Sequence, residues 1–281
     1  MTGAAGTFGS RLTTVLDERG PVCVGIDPHP ELLAAWGLPV TSDGLARFAD
    51  TCVTALADIA AVIKPQSAFF EAFGSAGSAV LETTLAACRD AGTVLLLDVK
   101  RGDIGSTMAA YARAYLDPAS PLCADAITVN PYLGVGSLQP AFDAVAEHDR
   151  GLFVIARTSN PEANQFQRAV LPNGREVGQT VVDELAARNT AGGDGLGSLG
   201  VVVGATLADD DLDVTGLNGP ILAPGVGAQG GTIDDVRRIF SGALRAVLPT
   251  VSREVLRRGP DAAAMRQAVE ELIEQFGFLR K

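Results

Sequence analysis

Eight short apolar runs rich in β-branched residues recur along the chain, separated by longer stretches, and this alternation limits the fold more than any other feature. The runs occupy residues 21–26, 61–63, 94–97, 126–129, 152–156, 199–203, 221–223 and 246–248. Short continuous apolar runs read as strands buried on both faces, the condition of a parallel sheet covered by helices. The segments 45–59, 78–89, 107–115, 138–147, 179–188 and 232–240 are long enough for helices, and several carry apolar residues at helical spacing. In the first of them Leu45, Phe48, Cys52, Leu56 and Ile59 share one face. Eight strand–helix units in 281 residues fit a (β/α)8 TIM barrel, a closed α/β fold, better than an open doubly wound sheet. Residues 7–18 and 262–276 are expected to form extra helices flanking the barrel. The sixth unit is the weakest, because 209–219 is acidic and contains Gly and Asn, so any helix there is short. The glycine-rich stretch 192–200 reads as a turn, since periodic apolar segments continue on both sides. No repeat, low-complexity tract or interdomain boundary is visible, so residues 1–281 are expected to form a single barrel domain with those flanking helices.

Charge and composition narrow the function. A net charge of −11 opposes contact with a phosphate backbone and argues against a nucleic-acid partner, although local cations can still hold a small anion. The four cysteines, Cys23, Cys52, Cys88 and Cys123, form no C-x-x-C pair, as expected of reduced thiols in a cytoplasmic protein. The two histidines, His29 and His148, belong to no metal-ligand motif, so no zinc or other metal site is expected. No apolar run approaches the roughly 20 residues that span a bilayer, and residues 1–19 lack a basic region followed by an apolar core. A soluble protein with no membrane partner is expected.

In a barrel of this kind the active site is built where the strands end in loops at their C-terminal face. Polar residues collect at those positions. The first run leads to Asp27, the second to Lys64, and the third into Asp98-Val99-Lys100-Arg101-Gly102-Asp103, where the strand is expected to break into a loop. Strand alternation puts Asp98 and Lys100 on one face and Val99 on the other. Carboxylates bracketing a lysine at the end of a buried strand point to chemistry, because unpaired buried charge is costly. The fifth run leads into Arg157-Thr158-Ser159-Asn160, the seventh into Pro224-Gly225-Val226-Gly227-Ala228-Gln229-Gly230-Gly231, and the eighth into Thr250-Val251-Ser252-Arg253. Loops after the last two strands of many barrels bind phosphate; glycines let backbone N–H groups approach an anion, and Arg253 adds a two-pronged cation. Glycines alone would fit an ordinary turn equally well, and it is the arginine at the next strand end that favours phosphate.

These motifs resemble the orotidine 5′-phosphate decarboxylase family. The resemblance rests on Asp98-x-Lys100-x-x-Asp103-Ile104-Gly105-x-Thr107, on Val62-Ile63-Lys64-Pro65, on Gly25-Ile26-Asp27-Pro28 and on the 224–231 loop, in that family's order, and extends to Arg253. Asn130-Pro131-Tyr132-Leu133-Gly134 and Arg157-Thr158-Ser159-Asn160-Pro161 are similar to its longer bacterial branch, type 2. The resemblance implies a homodimeric barrel that converts orotidine 5′-monophosphate to UMP and CO2, the last step of de novo UMP biosynthesis, with no metal or organic cofactor. It implies that Lys64, Asp98, Lys100 and Asp103 form an alternating charge array. Lys100 would be the proton donor to C6, and Asp103 would reach the neighbouring subunit's site. Thr107 would cross the same interface to the ribose, and Asp27 would hold a ribose hydroxyl. Ser159 would contact the pyrimidine edge, although Thr158 and Asn160 are equally polar neighbours. Gln229 and Arg253 would hold the phosphate, with Gly230 of the same loop among the substrate-binding residues.

The residue types suit that chemistry. Loss of CO2 leaves charge at C6 with no delocalising sink, and a fixed ammonium there would stabilise it and then supply the proton. Other functions fit part of the outline. A metal-dependent decarboxylase or aldolase acting on sugar phosphates also carries D-x-K-x-x-D, but would need an acidic residue where Lys64 stands. A catalytically silent phosphate-binding barrel would be expected to have lost a member of the array, and all four are present. Structural roles are expected for Arg101 as an ordinary ion-pairing residue, for Gly102 and Gly105 as turn glycines, for His29 as a loop histidine, and for Tyr132 as a residue packed under a loop.

Overall fold

The computed structural model describes residues 6–190, 195–207 and 212–280. Its strands are β1 (Cys23–Ile26), β2 (Val62–Pro65), β3 (Val94–Arg101), β4 (Ala126–Val129), β5 (Gly151–Arg157), β6 (Leu199–Val203), β7 (Ile221–Pro224) and β8 (Val247–Val251). They pair in parallel in sequence order, and β8 closes on β1 with Cys23 beside Thr250. The fold is the expected (β/α)8 TIM barrel. Parallel neighbours need long crossovers. Helices Ser42–Leu56, Gly74–Asp90, Gly105–Leu116, Gln139–His148, Val177–Thr190 and Ile233–Ile239 lie in those crossovers. Between β6 and β7 no helix occurs among the described residues, and 208–211, part of the weak sixth unit, lie outside them. The glycine-rich 192–200 stretch lies partly outside them too, and β6 begins at Leu199.

Both flanking helices form. Phe8–Arg19 begins at a Thr7 cap whose side chain accepts from the Ser10 N–H, and Ala262–Phe276 begins at Asp261, which accepts from the N–H groups of Ala263 and Ala264. Such caps satisfy donors that a helix start leaves unpaired. The first helix plugs the barrel. Its Phe8, Leu12 and Leu16 pack with inward residues such as Val62, Leu96, Phe153 and Leu248. Phe8 meets Phe153 edge to face at 6.3 Å, and a side chain at Gly151 would collide with the Phe8 ring. Outward residues of the same strands, among them Ile63, Leu95, Leu97, Val99 and Ile127, form a second cluster under the helices.

On β2, β3, β4 and β8 the inward column turns from apolar to polar as the strand climbs away from the plug. Val62 is followed by Lys64, Leu96 by Asp98 and Lys100, Ala126 by Thr128, and Leu248 by Thr250 and Ser252. Burying a Val, Leu or Phe stabilises by roughly 1.5–3 kcal/mol, and the polar upper positions forgo that gain. One boundary departs from expectation in an informative way. The third strand does not stop at Leu97 but continues to Arg101, and its register with β4 shifts between Leu97 and Arg101.

Candidate active site

The polar upper positions enclose a cavity of about 400 Å3 at the C-terminal end of the barrel. Asp27, Lys64, Asp98 and Lys100 form one side of it, from β1 to β3; Ser159, Gln229, Ser252 and Arg253 reach it from the other strands.

The charged side is already assembled. Asp98 is 6% exposed and accepts from Lys64 Nζ at 3.2 Å through Oδ2, and from Lys100 Nζ at 2.7 Å through Oδ1. Thr128 Oγ1 adds a third bond, donating to Oδ1 at 2.6 Å. Burial pushes the Asp98 carboxyl up, but the Lys64 and Lys100 charges and the bonds from Lys100 and Thr128 override it and bring it down to about 2. Burial likewise works against charge on Lys64, yet Asp27 and Asp98 hold its ammonium above the ordinary lysine value. Lys64 is therefore both a buried ion-pair partner of Asp98 and part of the cavity wall.

Lys100 reaches Asp98 from an unusual backbone. Its φ is 47°, in the left-handed region that few non-glycine residues occupy. The alternation of Asp98, Val99 and Lys100 holds, with Val99 packed outward, but the strand bulges to deliver the lysine. The Lys100 N–H donates to Thr128 Oγ1 at 3.0 Å, and its carbonyl accepts from Asn130 Nδ2 at 2.9 Å. Gly102 is not a turn glycine: a Cβ there would meet the Asn130 carbonyl oxygen at 2.5 Å, so the small residue permits a close approach of two loops. Gly105, with φ of 51°, does have the left-handed backbone expected of a turn.

The opposite side is open. The 225–231 loop turns through positive φ at Gly225, Gly227 and Gly230, and closes on itself by bonds from the Gly230 N–H to the Gly227 carbonyl and from the Gly231 N–H to the Gly225 carbonyl. Arg253 lines the cavity and makes no ion pair with any described residue. Two buried atoms, Asp27 Oδ1 and Ser252 Oγ, have no hydrogen-bond partner. Asp27 Oδ1 is 3.9 Å from Lys64 Nζ. Buried polar atoms are normally paired, so orphans in a cavity wall mark places for ligand groups.

Residues 20–268 match the model of the orotidine 5′-phosphate decarboxylase / HUMPS family. The chain belongs to this family. Orotidine 5′-phosphate decarboxylases of Salinispora arenicola and Streptomyces coelicolor are each 59% identical to it, over 267 residues (95% of this chain, 96% of the relative) and 263 residues (94% of each). The crystal structure of a Streptomyces avermitilis protein assigned to that activity has a TM-score of 0.95 at 54% identity, covering 100% of this chain and 98% of that one. For Leishmania donovani OMP decarboxylase the TM-score is 0.76 at 30% identity, covering 98% and 99%.

In this member of the orotidine 5′-phosphate decarboxylase family the residues singled out in the sequence do not all meet. Asp27, Lys64, Asp98, Lys100, Ser159, Gln229 and Arg253 line the one cavity. Gly230 does not line it, and closes the loop behind Gln229. Asp103 and Thr107 lie outside it; Asp103 Oδ1 accepts from the Ile104 N–H at 2.8 Å, and Thr107 is exposed. Of the three polar neighbours after β5, Thr158 and Ser159 face the cavity, but the Thr158 hydroxyl is engaged by Gln167 and Asn160. Asn160 bonds Glu162 and does not line the cavity. Arg157 is 1% exposed and pairs with Glu176, tying down the long segment after β5.

Arg101 pairs with Glu71, the ordinary role expected of it. Tyr132 does not pack under a loop: it is 71% exposed and meets Phe166 edge-on at 5.5 Å. Thr250 lines the cavity as its strand-end position implied, whereas Thr128 and Gln66, also in the cavity wall, were not singled out from the sequence. Among the described residues no group of three His, Cys, Asp or Glu side chains is placed to hold a metal ion, and no helix is long and apolar enough to cross a membrane.

Proposed function

We propose that this cavity removes CO2 from orotidine 5′-monophosphate with Lys100 as the proton donor. The reaction is the decarboxylation that makes UMP, the activity of the family to which the chain belongs. The bond from C6 to the carboxylate breaks and its electron pair stays on C6. The Lys100 ammonium faces that carbon, stabilises the pair and transfers a proton to it; the neutral amine then regains a proton from water. Donors fixed beforehand act without reorganisation at the moment of reaction, and Asp98 fixes this one at 2.7 Å. The observation that carries the reading is the Lys64–Asp98–Lys100 array on a cavity whose far wall holds an arginine with no ion-pair partner among the described residues. Asp27 and Ser252 offer their orphaned oxygens to the ribose side, Ser159 its free hydroxyl to the pyrimidine, and Gln229 and Arg253 hold the phosphate. Phosphate contacts far from C6 supply binding energy that organises the reacting end.

The protein works as a homodimer in this reading, with Asp103 and Thr107 completing the neighbouring subunit's site. Support comes from their position outside their own cavity, next to Ile104, whose large apolar side chain is 61% exposed. A cytoplasmic location fits the four cysteines, all free and buried. Incubating the protein with orotidine 5′-monophosphate in EDTA and following the pyrimidine absorbance tests the activity and its independence of metal; an unchanged spectrum overturns it. Mixing inactive Asp103→Ala and Lys100→Ala proteins tests the shared site. Recovered activity is expected, and none after proven subunit exchange overturns it.

A further inference from the structure

Lys100 sits in a left-handed backbone conformation that a non-glycine residue keeps only where its surroundings hold it there. One side chain supports both that backbone and the lysine's ion-pair partner. Thr128 in β4 is 1% exposed, and its hydroxyl accepts from the Lys100 N–H at 3.0 Å while donating to Asp98 Oδ1 at 2.6 Å. The same carboxylate oxygen accepts from the Lys100 ammonium at 2.7 Å. Amide, hydroxyl, carboxylate and ammonium thus form a closed ring of contacts between β3 and β4. The ring lies where the β3–β4 register shifts between Leu97 and Arg101, so the Thr128 hydroxyl takes over an amide that regular pairing does not serve. The inward position below it is apolar, Ala126, and packing alone would be met there by valine.

We propose that Thr128 is a positioning residue: its hydroxyl locks the Lys100 backbone and the Asp98 carboxylate into one frame and so aims the Lys100 ammonium at the reacting carbon. The inference rests on the reading of Lys100 as proton donor. Without the hydroxyl the Lys100 N–H loses its acceptor and Asp98 Oδ1 loses a donor, and the bulge is free to relax towards ordinary strand geometry. A displacement of about 1 Å at a reacting group lowers rate by about 10²-fold.

Thr128→Val keeps the shape and deletes the hydroxyl. The expected result is a kcat lower by about 10- to 100-fold with the affinity for UMP changed by less than about threefold, and a return to within about threefold of the parent kcat in Thr128→Ser. A kcat that stays within about threefold in Thr128→Val, a fall in UMP affinity that matches the fall in kcat, or a serine variant that fails to rescue would each overturn the role. Lys100→Ala, assayed alongside, separates the two readings. If it retains turnover, both fall; if it is inactive while Thr128→Val is fully active, the positioning role alone falls. Should Thr128→Val not fold, Thr128→Ala compared with Thr128→Ser gives the same test.

Discussion

The two walls of the cavity are built on opposite plans. On the β2–β4 side the polar groups saturate one another: Asp98 receives Lys64, Lys100 and Thr128 within 3.2 Å, and both Asp98 and Lys64 are almost fully buried. On the β7–β8 side a glycine loop closes its own backbone bonds, while Arg253 makes no ion pair and Ser252 Oγ no hydrogen bond among the described residues. The first wall has its contacts formed among its own side chains, which suits a group that must act on charge as it develops. The second is left for the substrate to complete, which suits a phosphate whose binding energy is wanted only on arrival. The two walls should therefore fail differently when altered.

The largest effect is expected from Lys100→Ala, which should lower kcat by about 10³-fold or more, since donor and charge stabilisation are lost together, while UMP affinity changes far less. Steady-state kinetics beside UMP titration checks this; matched losses would make the saturated wall a binding device. Next comes stability. Asp98→Asn leaves the buried Lys64 with Asp27 at 3.9 Å as its remaining carboxylate, and should destabilise the fold by about 3–5 kcal/mol. Arg253→Ala, on the open wall, should stay within about 0.5 kcal/mol of the parent in the same denaturant titration. Comparable losses in the two variants would erase the distinction between walls.

Arg253→Ala should instead weaken binding of orotidine 5′-monophosphate by about 10- to 100-fold, the worth of a charged hydrogen-bonded contact. Orotidine lacking the phosphate should bind both proteins alike, and an equal loss for both ligands would remove the arginine from the phosphate end. Acid provides a smaller effect with a definite sign. The folded-state pKa of Asp98 lies at about 2, below the ordinary 3.8, so its stabilisation is present above about pH 4 and disappears as pH falls through 2. Over that interval the parent should lose about 2 kcal/mol from this group, and Asp98→Asn should lack that component. The Lys64 contribution has the opposite sense, fully present below the ordinary lysine value and lost as pH rises through its raised one. Smallest is the pyrimidine contact. Ser159→Ala should raise KM by several-fold, about 1 kcal/mol for a neutral hydrogen bond, whereas Asn160→Ala, outside the cavity, should leave it unchanged.

The legible part of this protein was periodic or local. Runs such as 126–129 and 199–203 declared strands because a buried parallel strand leaves a continuous apolar stretch. Asp27, Lys64, Asp98 and Lys100 stood out because charge at the end of such a stretch lacks a structural motive. The extension of β3 to Arg101 was hidden, since polar residues in sequence look like the start of a loop. Thr128 was hidden because a threonine is ordinary in a strand, and the partners that give it meaning are 28 and 30 residues away. Tyr132 misled because exposure is decided by which loops meet, here with Phe166.

By itself the sequence determined the barrel, the end of it where the polar residues collect, and the sign of the charge at the ends of the first, second, third, fifth and eighth strands. Those follow from alternation and from the cost of burying charge, which act along the chain. Tertiary structure alone decided that Lys100 would reach Asp98 through a bulged, left-handed backbone, that Thr128 would hold both, and that Asp103 and Thr107 would lie outside the cavity their segment helps to build. These depend on register between strands and on contacts across 28 or more residues, where no local propensity selects the partner.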